Sequence, residues 1–142
     1  MSQQRKLLLV DPDVRFAKLL EGWLEGEGWQ IIWMADGRQA LSALPSLAPD
    51  AVMTELDLPH VDAFELIEAI VRRPEAPPVI VCSRAPRVRS WTRRTLADLG
   101  IEHAICRPVR LATIAEALDD VVETRRSREI AARRAPAAAS GT

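Results

Sequence analysis

Five short apolar runs alternate along the chain with five stretches of helical periodicity. Lys6–Val10 is apolar without alternation after its first residue, the pattern of a strand covered on both faces. Residues 14–27 then set Phe16, Leu19, Leu20, Trp23 and Leu24 on one helical stripe, with Gly28 placed to end it. Trp29–Met34 is a second strand. Asp36 with Gln39 forms a capping-box pattern that opens a short helix through Ala40, Leu41 and Leu44. Ala51–Thr54 is a third strand. Asp62 with Glu65 is a second capping box, ahead of Phe64, Ile67, Ile70 and Val71. Pro77 and Pro78 lead into the strand Val79–Cys82, and a weaker helix over 88–98 closes at Gly100. Glu102–Cys106 is the fifth strand. Leu111, Ile114, Leu118, Val121 and Val122 mark a last amphipathic helix.

Alternating strand–helix units, (βα)₅, predict an α/β, doubly wound parallel sheet with helices on both faces. Function in such sheets sits at the carboxyl ends of the strands. The 142 residues and 15.8 kDa suit one core, read here as residues 1–124 followed by a basic helical extension and low-complexity tail over 125–142. With 48% hydrophobic and 27% charged residues, the chain is neither disordered nor membrane-embedded in composition. No apolar run is long enough to span a bilayer, and the first ten residues lack a signal-peptide pattern. Two cysteines, Cys82 and Cys106, make no disulfide framework and match no metal spacing, so a reducing cytoplasm is the expected setting.

The formal net charge of −1 conceals a segregation. Residues 1–75 hold 7 basic and 13 acidic side chains, whereas residues 76–142 hold 12 basic and 7 acidic ones. A site or a partner surface could lie behind such an asymmetry.

The strand ends carry the candidate chemistry. Strand one delivers Asp11, Pro12 and Asp13, strand three Glu55 and Asp57, strand four Ser83, and strand five Arg107 before Pro108. Each has an ordinary reading alone: Asp13 as a helix N-cap, Ser83 as a turn residue, Arg107 as a solvated charge. Their convergence on one rim of the sheet is what marks a site.

With these residues in place, the sequence resembles a response-regulator receiver domain, the phosphoacceptor module of two-component signalling. The resemblance runs from about Lys6 to Val122. It rests on LLLVD at 7–11, WQIIWMADGRQAL at 29–41, PDAVMTELDLPHVDAFEL at 49–66, PVIVCS at 78–83 and Arg107-Pro108. It implies the flavodoxin-like strand order 2-1-3-4-5. It also implies a chemistry in which an Asp becomes an acyl phosphate, helped by Mg²⁺ on an acidic pair, a Lys and a Ser/Thr hydroxyl.

Four positions depart from the family pattern. Glu55 stands at the phosphoacceptor Asp, its register fixed by Pro59. Its extra methylene moves the carboxylate by roughly 1.5 Å, which in-line attack tolerates poorly. Pro12 replaces the second acid of the metal-binding pair, and Mg²⁺ needs near-ideal octahedral geometry. Arg107 replaces Lys and favours bidentate pairing with a carboxylate. Ala104 replaces the usual aromatic switch residue. Glu is a partial mimic of phospho-Asp, so a Glu55–Arg107 ion pair locking the site is expected. Mg²⁺ binding is then expected to be weak or absent, with Asp11, Asp13, Glu55 and Asp57 as the candidate ligands and no other cofactor.

Arg84, Arg87, Arg89, Arg93 and Arg94 lie in a stretch, 76–97, without a single acid. The resemblance places an output face on helix four, strand five and helix five. There Arg87, Arg89, Trp91, Arg93, Arg94 and Ala104 are the candidate contacts for an acidic signalling protein or a second copy. A solvated arginine-rich face is the plain alternative, since only 2 of the 19 basic residues are lysines. Trp91 is read either as an interface anchor or as packing on neighbours, Trp23 and Trp29 as core, and Trp33 as an edge-strand residue. Cys82 and Cys106 are read as small reduced apolar residues on neighbouring strands.

The sequence therefore reads as a receiver-like protein-interaction module that is not an enzyme and works without phosphorylation. The competing reading is a working phosphoacceptor that uses Mg²⁺, with Asp57 as a substitute acceptor. Nucleic-acid binding by the arginines is a third reading, disfavoured because no recognition-helix motif accompanies them.

Overall fold

The computed structural model describes residues 4–84 and 89–135. Strands β1 (Arg5–Val10), β2 (Trp29–Met34), β3 (Ala51–Thr54), β4 (Val79–Arg84) and β5 (Ala104–Arg107) form one parallel sheet in the order β2-β1-β3-β4-β5. They alternate with helices α1 (Val14–Glu25), α2 (Gly37–Leu47), α3 (Ala63–Val71), α4 (Ser90–Asp98) and α5 (Leu111–Arg134). This is the doubly wound, flavodoxin-like architecture.

The unbroken apolar strands explain why helices lie on both faces. Side chains alternate across the sheet, so Leu7, Leu9, Ala51, Met53, Ile80 and Cys82 join a core roofed by α1 and α5. Leu8, Val10, Val52, Val79 and Val81 join a second core with Leu66, Ile67 and Leu96 from α3 and α4. Every residue of β3 is buried, whereas the outer strand β5 is only half-buried throughout. No helix among the described residues is long and apolar enough to cross a membrane.

The helix starts follow the capping pattern. Asp13, Asp36 and Asp62 are N-caps whose carboxylates accept from backbone N–H groups of Arg15 and Phe16, of Arg38, and of Phe64. Other boundaries differ from the sequence reading. Helix α1 stops at Glu25, before the expected residue 27, and Gly28 makes the turn into β2 at φ +87, a conformation open to glycine. Helix α2 continues through Pro45 to Leu47. Helix α4 begins at Ser90, and residue 88 of the expected start lies outside the described residues.

The larger corrections concern the last two strands. Pairing of β4 with β5 runs from Val81↔Ala104 to Arg84↔Arg107. Strand β4 therefore extends past Cys82 to hold Ser83 and Arg84. Strand β5 begins at Ala104, not Glu102, and holds Arg107 within it. Only one ladder bond precedes it, from Val81 N–H to the His103 carbonyl at 3.0 Å. Ser83 and Arg107 are thus fixed by the sheet, not by loops.

Helix α5 is one element through Arg134, with Arg125 donating to the Glu75 carbonyl at 3.3 Å. From Arg126 onward its described residues are exposed.

Leu9 sits near the carboxyl end of β1, 1% exposed, one strand position before the last residue. Leu9→Ala is expected to destabilise the protein by about 2–5 kcal/mol. Urea unfolding would check this as a lowered midpoint with an unchanged slope.

Candidate functional site

The rim residues meet around the Glu55 carboxylate. Glu55 follows β3 directly, and its N–H donates to the Val10 carbonyl at 2.9 Å, which ties it to β1. The residue is 4% exposed. Its Oε1 accepts from the backbone N–H of Leu56 at 2.7 Å and of Asp57 at 3.1 Å, and from the Ser83 hydroxyl. Its Oε2 receives the Arg107 guanidinium, so the ion pair expected between Glu55 and Arg107 forms. Both oxygens of this buried carboxylate are therefore engaged. Buried charges are tolerated only when paired and hydrogen-bonded, and this one is both.

Arg107 is shared. Its Nη2 lies 3.3 Å from Asp11 Oδ2, close enough for ion pairing but not aligned for a hydrogen bond. The guanidinium also stacks over the Phe16 ring at 4.2 Å, a cation–π contact on a weakly hydrated cation. Its Nε is buried without a partner.

Asp11 is the surplus charge of the group. Its Oδ1 accepts from the Asp13 N–H at 2.8 Å, while Oδ2 is buried with no hydrogen bond. Burial pushes its carboxyl up from an ordinary 3.8 to about 6, with the Glu55 and Asp13 charges adding to the rise and the Asp13 N–H and Arg107 opposing it. Asp13 lies on the margin of the site. It caps α1 and sits 3.6 Å from Arg84. Its carboxyl is held below the usual range, chiefly by the Phe16 N–H and then by that of Arg15 and the nearby guanidiniums. Asp57 is exposed, and its backbone N–H donates to the Glu55 carboxylate. Pro12 adds no ligand atom to the rim.

Two residues complete the site without having been singled out for it. Phe16 reads in the sequence as a core-stripe position. Trp33 reads as an edge-strand residue and is indeed 38% exposed, yet its indole N–H donates to the Asp11 carbonyl at 2.7 Å. The pairing of β1 with β2, Leu9↔Trp33 and Val10↔Met34, is what brings it there.

The predicted face lies apart from this cluster. On α4, Trp91 is 61% exposed, which rules out the reading of it as packed on neighbours. Arg89, Arg93 and Arg94 are exposed, while Thr92 and Leu96 are buried toward the core. Arg93 Nη1 donates to the Ala104 carbonyl at 2.8 Å and links α4 to β5. Arg87 lies outside the described residues. Cys82 is buried and Cys106 half-buried, both as free thiols, and burial pushes the Cys82 thiol up to about 12.

The strand order, the winding and a rim of acids, a hydroxyl and a cation define a receiver-type α/β domain. The response regulator receiver domain family matches residues 7–119, and the chain belongs to it. It is the receiver domain of a response regulator in two-component signalling. It is 27% identical over 106 residues to the Regulator of RpoS of Escherichia coli K12, a match that covers 75% of this chain and 31% of that protein. It is 31% identical over 80 residues to the DNA-binding response regulator MtrA of Mycobacterium tuberculosis, covering 56% of this chain and 35% of MtrA. The chain thus spans about a third of the length of these relatives. Among solved structures, the Francisella response regulator 1452 receiver domain aligns with a TM-score of 0.77 at 17% identity, covering 85% of this chain and 98% of that one. The chemotaxis response regulator CheY4 of Vibrio cholerae aligns at 0.74 and 19%, covering 83% and 98%.

Two outcomes follow. Arg107→Ala would leave Glu55 and Asp11 buried without a countercharge and is expected to cost about 3–5 kcal/mol in urea unfolding at neutral pH. Asp11 carries a raised folded value, so the folded state takes up its proton first as pH falls. Its ionisation therefore weakens the fold as pH rises from about 4 through about 6. Asp11→Asn is expected to gain stability relative to the parent across that window, with the gain level above it. Urea midpoints of both proteins from pH 4 to pH 8 would read it, and a gap independent of pH would contradict the assignment.

Proposed function

We propose that this receiver domain works as a phosphorylation-independent interaction module whose phosphorylation site is held shut by Glu55 and Arg107. The observation that carries this reading is the saturation of the Glu55 carboxylate. Two backbone N–H groups, the Ser83 hydroxyl and the Arg107 guanidinium, a donor set suited to the oxygens of a phosphoryl group, already hold its two oxygens. A carboxylate so engaged is a poor nucleophile, because attack on phosphorus would require it to give up those donors.

The carboxylates fit Mg²⁺ poorly. The divalent ion would need Asp11 plus further oxygens in octahedral array. Asp13 is committed to the α1 cap, Glu55 to its four donors, and position 12 is Pro. The one orphaned oxygen, Asp11 Oδ2, faces the Arg107 cation at 3.3 Å. The module is accordingly read as non-enzymatic, with weak or absent Mg²⁺ binding.

Its partner is read as a signalling protein with an acidic surface that docks on α4, β5 and α5. Support comes from Trp91, a large exposed aromatic flanked by the exposed Arg89, Arg93 and Arg94. Aromatic and arginine side chains are the common anchors of protein interfaces. Cytoplasmic action belongs to the same reading.

Incubation with acetyl phosphate and Mg²⁺ is expected to leave the intact mass unchanged. A stable phosphoryl adduct on the chain would overturn the reading. Pull-down of a partner is expected to be lost in the Arg89→Ala, Arg93→Ala, Arg94→Ala triple variant and unaffected by acetyl phosphate. Capture that depends on acetyl phosphate would contradict it.

A further inference from the structure

Away from the rim, at the amino end of β5, three metal-ligating side chains meet. Glu102 ends the connection from α4, His103 precedes β5, and Asp120 projects from the middle of α5. One potential ligand atom from each lies within 4.8 Å of the others. His103 Nε2 and Asp120 Oδ2 are 2.8 Å apart. We propose that Glu102, His103 and Asp120 form a binding site for a first-row divalent metal, with Zn²⁺ as its best match.

The geometry suits a small tetrahedral ion. Bonds of about 2.0–2.1 Å to nitrogen and oxygen separate ligand atoms by roughly 3.3 Å. The spacings here, from 2.8 Å to at most 4.8 Å, bracket that value. The donors select the metal. An imidazole with two carboxylates suits Zn²⁺ and its transition-metal neighbours, whereas Mg²⁺ and Ca²⁺ favour all-oxygen sites. Three protein ligands leave the fourth position to water.

The supports are firm. The His103 carbonyl accepts from Val81 N–H at 3.0 Å, which fixes it to the sheet, and Asp120 is four turns from the end of α5. The ligands are accessible as well, with side-chain exposures of 64% for Glu102, 29% for His103 and 56% for Asp120. A simple His–Asp contact would account for His103 and Asp120 but not for the second carboxylate. Glu102 is paired with Arg128 at 3.9 Å. An exposed contact of that length contributes little, so a metal would displace it at small cost. Binding would then staple β5 to α5 and release Arg128 on the exposed extension.

Zn²⁺ titration of the full chain by calorimetry, with Co²⁺ absorption as a coordination probe, tests this site. Saturable one-to-one binding and the visible bands of four-coordinate Co²⁺ are expected. His103→Ala and Asp120→Asn should each weaken binding at least about tenfold, with helical content by circular dichroism unchanged. Cys106→Ser and Asp13→Asn should bind as the parent does. The proposal falls if Zn²⁺ does not bind saturably. It also falls if His103→Ala binds like the parent, or if the loss follows Cys106→Ser or Asp13→Asn, which would place the ion on the thiol or the rim.

Discussion

A single guanidinium, that of Arg107, compensates two carboxylates that the sheet withholds from water. Asp11 is 1% and Glu55 4% exposed, and they come from adjacent strand ends. The cation that reaches across from β5 lies against both carboxylates. Phe16 covers the flat face of the cation and ties α1 into the arrangement. One side chain therefore joins β1, β3, β5 and α1 at the carboxyl end of the sheet. Because it must satisfy Glu55 first, Asp11 is left with an oxygen lacking a hydrogen bond. The Asp11 carboxyl is raised mainly because it is buried, and the neighbouring Glu55 charge adds to the rise.

The segregation of charge along the chain takes a spatial form. The acids of the first half include the N-caps Asp13, Asp36 and Asp62 and the buried pair at the rim. Among the described residues, the arginines of the second half include Arg107, whose side chain is largely buried as a countercharge, and exposed ones such as Arg84 at the rim, Arg93 and Arg94 on α4 and those of the α5 extension. A near-zero sum thus combines charges that neutralise one another inside the molecule with charges left facing solvent.

Much of this was legible in the sequence because two periodicities carry it. The apolar runs at β1 and β3 are short, unbroken and each followed by an acid, and the helix starts are written in Asp13, Asp36 and Asp62. Glu55, Asp11, Ser83 and Arg107 could be placed together because each lies at the same end of a parallel strand. The ends of β4 and β5 were less legible, since a ladder stops where its partner stops. The pairing of Arg84 with Arg107 is not a property of either segment alone. Phe16 and Trp33 were missed as site residues for a related reason. Helical spacing assigns Phe16 to a face but does not say that a cation lies against it. Trp33 reaches the Asp11 carbonyl only through the register of β2 on β1. The donors from Leu56 and Asp57 are backbone groups and leave no trace in residue identity.

Helix α5 begins at Leu111, four residues after Arg107, and runs unbroken to Arg134. Its 24 residues make a rod of about 36 Å, rooted beside the buried cation and free at the far end. Its first half is fastened to the core through Ile114, Leu118 and Val122 and tied at Arg125 to the Glu75 carbonyl. The stretch from Arg126 to Arg134, about 13 Å of helix, therefore stands on a fixed base and holds its arginines at set positions in solvent.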